Sequence, residues 1–336
     1  MSCCSNLTSA VRIVAFGELL WDMLPSGKKL GGAPVNFLYH AKTLGAEVLA
    51  LTSVGNDELG KEIQDRLDAL DVSQDALQIS QQAPTGTVDV TLDDKGVPSY
   101  RIVENVAWDF IQIEQTELDQ IIEFLTKDGT NSAFYFGSLA LRTSNNKAAV
   151  ARILNALPEN VMRVCDLNLR APFYDRETIA FTLENSDVFK LNDVEALELE
   201  QIFADKLAPS LAVFADADRS LSEALRDNFE GVKEALTTWA ELWLKTYGLK
   251  TIVLTCGASG AFIVDAENVV YSPSLNVDVK DSVGAGDSFA AVCVVGFLLN
   301  HPYQQIIEAA SKRAAFVCSQ EGATPIVPKE LAAPFD

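Results

Sequence analysis

Four segments near the start of the chain set the fold: residues 11–16 read VRIVAF, 35–44 VNFLYHAKTL, 48–53 VLALTS and 59–70 LGKEIQDRLDAL. The first and third are runs of apolar and β-branched residues with the length of a buried strand, whereas the second and fourth carry apolar residues at helical spacing. Strands that alternate with helices in this way form βαβ units and parallel sheets. We therefore predict an α/β fold.

The same alternation continues at four later strand-like runs, each followed by a helix-like stretch. These runs are residues 132–136, 161–166, 186–191 and 251–255. A sheet of this type is mainly parallel and is covered by helices on both faces. We therefore predict a doubly wound, mainly parallel sheet within a single domain at residues 11–330.

One segment interrupts the alternation, because residues 86–103 read as two strands with no helix between them. The polar stretch 93–96 (DDKG) separates the strands, which is typical of a β-hairpin. A hairpin does not easily join a parallel sheet, so we predict a small β lid formed by residues 20–32 and 86–106. Lids of this kind close over substrates and exclude water. The alternative is an edge hairpin that only adds stability.

A helical pattern occupies residues 218–247. Its apolar stripe is typical of a helix packed on the core and not of a cofactor site. The stripe consists of Leu221, Leu225, Val232, Leu236, Trp239 and Trp243.

The composition excludes several partners. The chain has 336 residues and a formal net charge of -21, from 47 acidic and 26 basic residues. Nucleic acid and anionic membrane surfaces bind basic patches, so we expect neither as a partner. A bound nucleotide must be held by local N–H donors, a few placed cations and a metal ion.

The cysteines show no metal-ligand spacing. Cys165, Cys256, Cys293 and Cys318 lie in apolar runs and are predicted to be buried, reduced thiols. Residues 1–9 are mostly polar, and no segment reaches the roughly 18 uninterrupted apolar residues of a membrane span. We therefore expect a cytoplasmic protein.

The strongest chemical signal is at residues 281–289, which read DSVGAGDSF and lead directly into the apolar run 290–299. Gly284 and Gly286 allow backbone conformations and a close ligand approach that other residues do not. The first N–H groups of a helix have no intrahelical partner, so the segment predicts an anion hole. Such donors stabilise the charge on a phosphoryl group in transfer.

Asp287 stands at the mouth of this predicted anion hole. Complementing the helix dipole would contribute only about 0.3–1 kcal/mol, and that role leaves the neighbouring glycines unexplained. We predict that Asp287 orients a substrate hydroxyl and takes its proton late, as the phosphoryl group arrives. The sequence has no P-loop motif, and no G-x-G-x-x-G follows the first strand, so the other common nucleotide folds are excluded.

Two segments together resemble the signatures of a known family. Residues 31–60, GGAPVNFLYHAKTLGAEVLALTSVGNDELG, resemble the first signature of PfkB (ribokinase-like) carbohydrate kinases, and residues 281–289 resemble the second. The resemblance extends over residues 11–328. It implies a ribokinase-like α/β fold with a β lid, which transfers the γ-phosphate of ATP to a sugar or nucleoside hydroxyl with Mg²⁺.

The resemblance also implies roles for single residues. Asp287 resembles the catalytic base of the family, and Gly284, Ala285 and Gly286 resemble its anion hole. Both assignments agree with the prediction from the chemistry of the segment.

On the sugar side, Asp22 resembles the carboxylate that binds sugar hydroxyls, and Gly32 and Asn36 complete that side. The D-x-N-x-R segment that ends at Arg170 also resembles a family motif. Alternation after a strand is expected to aim Asn168 and Arg170 to the same side. The resemblance makes Arg170 a candidate phosphate ligand.

On the nucleotide side, Asn192 and Glu195 resemble the N-x-x-E motif, which helps to organise Mg²⁺ and phosphate through water. The same spacing is also a capping box, which needs no metal, and both interpretations can hold together. Thr255, Gly257 and Gly260 lie in a segment that resembles the strand and turn bordering the adenine.

Pro34 and the AWD sequence at residues 107–109 resemble fructokinases more than ribokinases or nucleoside kinases, so we expect fructose to become fructose 6-phosphate. Two alternatives stay open: a kinase for 2-keto-3-deoxygluconate, ribose or a nucleoside such as adenosine, and a noncatalytic sugar-binding regulatory paralogue. Asp281, with carbonyls near Gly322, is expected to hold a monovalent cation such as K⁺, as in some relatives. We also expect a homodimer formed through the lid.

Overall fold

The computed structural model describes residues 10–24, 27–92, 98–129, 131–215 and 220–335. The strands in these residues are β1 (Val11–Phe16), β2 (Leu20–Leu24), β3 (Gly27–Gly31), β4 (Glu47–Gly55), β5 (Leu77–Ser80), β6 (Gly86–Leu92), β7 (Pro98–Ile102), β8 (Asn131–Gly137), β9 (Val161–Asp166), β10 (Val188–Asn192), β11 (Thr251–Thr255), β12 (Ala261–Val264) and β13 (Val269–Ser272). The helices are α1 (Ala33–Thr43), α2 (Glu58–Ala69), α3 (Gln115–Thr126), α4 (Ser144–Ala156), α5 (Arg176–Glu184), α6 (Asp193–Ile202), α7 (Leu221–Asp227), α8 (Phe229–Tyr247), α9 (Ala285–Leu298), α10 (Tyr303–Cys318) and α11 (Lys329–Ala332).

The large sheet is doubly wound and mainly parallel, which confirms the predicted fold class. In the described residues it has nine strands, in the order β13-β12-β11-β10-β9-β8-β1-β4-β5. From β11 to β5 in this order, each strand runs parallel to the next one. The register places Phe16 of β1 beside both Leu51 of β4 and Phe136 of β8. The strand order reverses between β1 and β8. Ligands bind outside the carboxyl ends of the strands at such a switch point.

Alternate residues of the central strands face opposite layers of helices. In β1, Val14 and Phe16 pack in the layer that contains α3, α4 and α5, whereas Ile13 and Ala15 pack in the layer that contains α1, α9 and α10. All four side chains are buried. A strand that is buried on both faces reads as a nearly continuous apolar run, and in residues 11–16 only Arg12 interrupts that run.

The prediction that a helix follows residues 251–255 is wrong. These residues form β11, but a short turn and the antiparallel strands β12 and β13 come next. The Cys256 N–H donates to the Gly260 carbonyl at 2.8 Å, and this bond closes the turn. The chain therefore reverses immediately and extends the sheet with an antiparallel edge.

The helical pattern at residues 218–247 forms two helices and not one, and residues 216–219 lie outside the described part of the chain. Helix α7 ends before Asn228, and α8 begins after it. The Asn228 side chain accepts a hydrogen bond from the Gly231 N–H at 3.3 Å, so Asn228 caps the second helix. The predicted apolar stripe is nevertheless buried, which confirms its packing role.

A second, smaller sheet has the strand order β3-β2-β6-β7. Strand β2 runs antiparallel to β3 and parallel to β6, and β6 runs antiparallel to β7. The two strands of the predicted hairpin are β6 and β7. Its turn lies outside the described residues, and the closing motion of a lid stays a prediction.

The prediction of buried, reduced thiols is confirmed for three of the four cysteines, whereas the burial predicted for Cys318 is wrong. Cys165, Cys256 and Cys293 are buried free thiols and Cys318 is a half-buried one, whereas Cys3 and Cys4 lie outside the described residues. In the described part of the chain, no helix combines the length and the hydropathy that crossing a membrane requires.

Candidate active site

The candidate active site lies where the central strands end. Glu18 follows β1, Asp166 ends β9 and Asn192 ends β10, and all three strands run parallel in one sheet. Helix α9 begins beside these strand ends, and the Asn36 amide Nδ2 donates to Asp287 Oδ2 at 2.8 Å. Asn36 and Asp287 are 251 positions apart, so the fold brings the two signature segments into direct contact.

Helix α9 begins in a conformation that requires glycine. Its N-cap, Gly284, has φ 79°, and a Cβ there would lie 2.6 Å from the Ala323 Cα. Asp287 is the third residue of the helix, at the end where helices attract anions. Of the residues predicted to form the anion hole, Ala285 already has an acceptor, because its N–H lies 3.3 Å from the Ser282 carbonyl oxygen.

A buried ion pair lies behind the start of α9. The Lys190 Nζ lies 2.8 and 2.9 Å from the two carboxylate oxygens of Asp166, and the Tyr135 hydroxyl donates to the same carboxylate at 3.1 Å. A Cβ built on Gly286 would lie 3.3 Å from the Lys190 Nζ. The ammonium group therefore lies against the backbone of the predicted anion hole. The sequence held one signal for it, a single charged residue in the buried strand VFKLN.

A second acid that the sequence analysis did not single out is Glu18. Its side chain is buried, with 5% of its surface exposed, and one oxygen accepts the Ala33 N–H at 3.2 Å. Gly32 has φ 123°, and a Cβ there would lie 2.4 Å from the Glu18 carbonyl oxygen. Glycine at this position therefore allows α1 to begin against Glu18, and this start places Asn36 beside the predicted base.

The two acids next to α1 have raised pKa values. Burial is the main cause that raises the pKa of Asp287 to about 6, and the charge of Asp166 raises it further, whereas Lys190 and Arg170 lower it. Burial also raises the pKa of Glu18 to about 7. Both groups therefore hold a proton at a higher pH than an ordinary carboxylic acid, whose pKa is about 4.

The raised pKa of Asp287 predicts the pH dependence of turnover. A base acts only in its deprotonated form, so activity is expected above the pKa of Asp287 and is lost as the pH falls through about 6. The acidic limb of kcat/KM reports the free enzyme and is the quantity to measure. A limb near the ordinary value of about 4 would contradict this assignment.

Asp22 lies where the small sheet meets the start of α1. Its carboxylate rests over β3, because a Cβ on Gly31 would lie 2.7 Å from Asp22 Oδ2. Burial raises the pKa of Asp22, and the charge of Lys29, its partner across β2 and β3, opposes that rise. This position agrees with the predicted contact to sugar hydroxyls, which stays a prediction.

The alternation argument for Asn168 and Arg170 is wrong, because β9 ends at Asp166 and Asn168 has φ 43°. A residue in the left-handed region does not continue an extended strand. The exposed Arg170 donates through Nη1 to the Leu169 carbonyl at 2.9 Å. Its charge lowers the pKa of Asp287, so it lies within electrostatic range of the predicted base. Its contact with phosphate stays a prediction.

The N-x-x-E segment forms a capping box, which confirms that interpretation. The Asn192 side chain accepts the Glu195 N–H, and the Glu195 carboxylate accepts the Asn192 N–H, both at 2.9 Å. The other oxygen of Glu195 accepts the Leu169 N–H at 2.8 Å. Among the described residues, no group of three or more His, Cys, Asp or Glu side chains is arranged to enclose a metal ion. A metal role for Glu195 stays a prediction.

The residues predicted to border the adenine lie at the same edge of the sheet. Thr255 ends β11 directly beside Asn192 of β10. Gly257 and Gly260 flank the turn into β12. The structure therefore brings Thr255 and the turn beside Asn192, and the contact of these residues with adenine stays a prediction.

Asp281, the predicted cation ligand, already has several partners. Its two carboxylate oxygens accept the N–H groups of Val283 at 3.0 Å and Gly322 at 3.1 Å. The Lys29 Nζ lies 3.5 Å from the same carboxylate. These bonds, together with the charge of Lys29, lower the pKa of Asp281, so this carboxylate is negative and is able to attract a cation.

Comparison with known proteins identifies similar chains. The family profile described as "pfkB family carbohydrate kinase" matches residues 26–330. "Probable fructokinase-2" of Arabidopsis thaliana is 24% identical, and the match covers 98% of this chain and 96% of that protein. A fructokinase of Vibrio cholerae, solved with fructose, ADP and a potassium ion, superimposes with a TM-score of 0.72 at 21% identity, covering 98% and 99% of the two chains. The 2-dehydro-3-deoxygluconokinase of Thermotoga maritima gives a TM-score of 0.75 at 19% identity, covering 96% and 98%.

Proposed function

Because the chain belongs to the pfkB family of carbohydrate kinases and is an ATP-dependent sugar kinase, we propose that its substrate is D-fructose and its product fructose 6-phosphate. The observation that supports the kinase site is the position of Asp287 in the first turn of α9, where it accepts a hydrogen bond from Asn36 at the switch point of the sheet. The choice of fructose rests on the relatives named fructokinases and on Pro34 and residues 107–109.

The chemistry follows from the position of each group. Asp22 and Asn36 hold the sugar, and Asp287 accepts a hydrogen bond from the 6-hydroxyl. The sugar oxygen forms a bond to the γ-phosphorus of ATP, and the bond between that phosphorus and the bridging oxygen of ADP breaks. The hydroxyl proton passes to Asp287 late in the step, because the attacking oxygen becomes acidic only as the new bond forms. The N–H groups at Gly284 and Gly286 stabilise the transferring phosphoryl group.

The residues present fit a magnesium ion that enters with the phosphates of ATP. Both oxygens of Glu195 already accept backbone N–H groups, so Glu195 and Asn192 would hold such an ion through water. Mg²⁺ usually keeps several waters and binds substrate phosphates in this manner. When bound, it neutralises charge on the phosphate oxygens. A monovalent cation such as K⁺ would lie at Asp281.

The substrate is tested by a coupled ADP-release assay with Mg-ATP against a panel of acceptors. The panel contains fructose, ribose, 2-keto-3-deoxygluconate, mannose, glucose and adenosine, and the Asp287→Asn variant controls for contaminating kinases. Turnover concentrated on fructose supports the proposal. Turnover concentrated on another acceptor would show that the protein is a kinase whose substrate is that acceptor and not fructose. Silence with every acceptor would favour the noncatalytic sugar-binding protein.

We also propose that the small sheet closes over the sugar and forms the contact of a homodimer. Asp22 belongs to β2 of this sheet, so displacing the sheet displaces a sugar ligand. Deleting residues 94–96, which lie outside the described residues, should therefore raise the KM for sugar more than the KM for ATP. Steady-state kinetics in both substrates measures the two values, and equal changes would count against a lid.

A further inference from the structure

We propose that Lys190 is a positioning residue for phosphoryl transfer, because its buried ammonium supports the start of α9 from behind and stabilises the negative charge that develops there. The inference rests on the proposed phosphoryl-transfer site and is independent of which sugar is the substrate. It assigns Lys190 a role beyond its pairing with Asp166.

The burial of Lys190 is unusual for its residue type. Only 9% of its surface is exposed, whereas lysine is almost never fully buried unless it is paired. The pairing with Asp166 is bidentate, at 2.8 and 2.9 Å. A buried ion pair is weak support for stability, because the desolvation penalty offsets the attraction. Fold stability alone therefore does not explain why a charged pair occupies this place.

The position of the Lys190 ammonium group, next to the start of α9, explains the presence of a buried ion pair better than stability does. The ammonium lies 3.3 Å from the point where a Cβ on Gly286 would stand, so it meets the second residue of α9 from the side of the sheet. In this proposal, the phosphoryl group approaches Gly286 from the other side, and the Lys190 charge acts on it through the backbone of α9. A fixed cation in a site of low dielectric stabilises charge without reorganising during the reaction.

The surrounding charges show that Lys190 acts on more than its partner. The charge of Lys190 also lowers the pKa of Asp287. Arg170 is the other cation that lowers the pKa of Asp287, but it is exposed and therefore more strongly screened by salt. Lys190 is thus the buried cation among the groups that act on the predicted base.

These charges also predict how the acidic limb of the pH profile moves. Lys190 lowers the pKa of Asp287, so removing Lys190 alone moves the limb to higher pH, whereas removing Asp166 alone moves it to lower pH. Removing both moves the limb less than removing Asp166 alone, because the two charges act in opposite directions. The charged and titratable groups that face Asp287 are Asp166 of β9, Lys190 of β10, Tyr135 of β8, Glu18 after β1 and Arg170 after β9.

The test is the double variant Lys190→Met/Asp166→Asn, which removes the ammonium and leaves no unpaired charge. We expect kcat above the acidic limb to fall by roughly 10- to 100-fold, which is less than the loss of a direct anion-hole donor, with both KM values within about threefold of the original. The single variant Lys190→Met should move the limb upward. Turnover is measured with the acceptor that the unmodified protein phosphorylates best, so failure of the fructose assignment leaves this test intact.

The matched control is Lys250→Met/Asp187→Asn, which removes a pair of the same residue types, 2.8 Å apart, at the opposite end of β10. It should keep the original kcat. If the melting temperature shows that the Lys190 double variant is poorly folded, Lys190→Gln, which can still donate to Asp166, is measured in its place with the same expected loss. Original kcat in a folded variant without Lys190, or an equal loss in the control, would overturn the proposal.

Discussion

Asp287→Asn should lower kcat by about 10²- to 10⁴-fold, the usual contribution of a positioned general base, while sugar and ATP still bind. Asparagine keeps the shape of the side chain and an oxygen that accepts the hydrogen bond from Asn36, but it does not take the hydroxyl proton. Steady-state kinetics gives kcat, and calorimetric titration gives the two affinities. A kcat within about tenfold of the original would show that Asp287 is not the general base.

The matched control is Glu177→Gln, which neutralises an exposed acid in the first turn of α5 and should leave kcat unchanged. Stability supplies a second readout. A carboxylate whose pKa is raised by folding stabilises the protein only at low pH, and this stability is lost as the pH rises through the folded pKa. Asp287→Asn should therefore raise the melting temperature above about pH 6, even though it stops turnover. A decrease there would contradict the raised pKa.

Asp22→Ala should lower kcat/KM for sugar by about 100-fold or more, because hydrogen bonds to a charged group contribute about 1.5–3 kcal/mol each and a carboxylate has room for two hydroxyls. The KM for ATP should change little, since Asp22 belongs to β2 and the predicted ATP contacts lie at β10 and β11. Initial rates with each substrate varied in turn separate the two effects.

The control for Asp22 is Asp89→Asn, in the same small sheet. Asp89 of β6 forms an exposed ion pair with Arg101 at 2.5 Å, and exposed pairs contribute little to stability. Its replacement should leave both KM values near their original levels. If Asp89→Asn weakened sugar binding as much as Asp22→Ala, the effect would belong to the sheet as a whole and not to a contact between Asp22 and the sugar.

The sequence specified the large sheet well because its central strands are buried on both faces. Residues 11–16 form a strand with the predicted bounds, and five of the six residues are apolar, as is typical of a strand covered on both faces. The errors arose where local hydrogen bonds decide the path. A bond from Cys256 to Gly260 reverses the chain after β11, and Asn228 divides a continuous apolar stripe into two helices.

The site was predictable where a residue type and a backbone signal coincide. Asp287 follows a glycine-rich turn at a helix start, and the structure places it against Asn36 of the other signature segment. Lys190 and Glu18 had no such signal, because a lysine within a strand gains its meaning from neighbours distant in sequence. The ion-pair partner of Lys190, Asp166, is 24 positions away in the sequence. No rule of sequence spacing connects the two residues.

Glu195 connects two segments that are predicted to contact the substrates. Its carboxylate accepts the N–H of Asn192, which is predicted to contact the nucleotide, and the N–H of Leu169, which precedes the predicted substrate ligand Arg170. A ligand that orders one segment also restricts the motion of the other. Binding of the second ligand then loses less conformational entropy. Sugar and nucleotide should accordingly bind with positive cooperativity, each tightening the affinity for the other by the same factor.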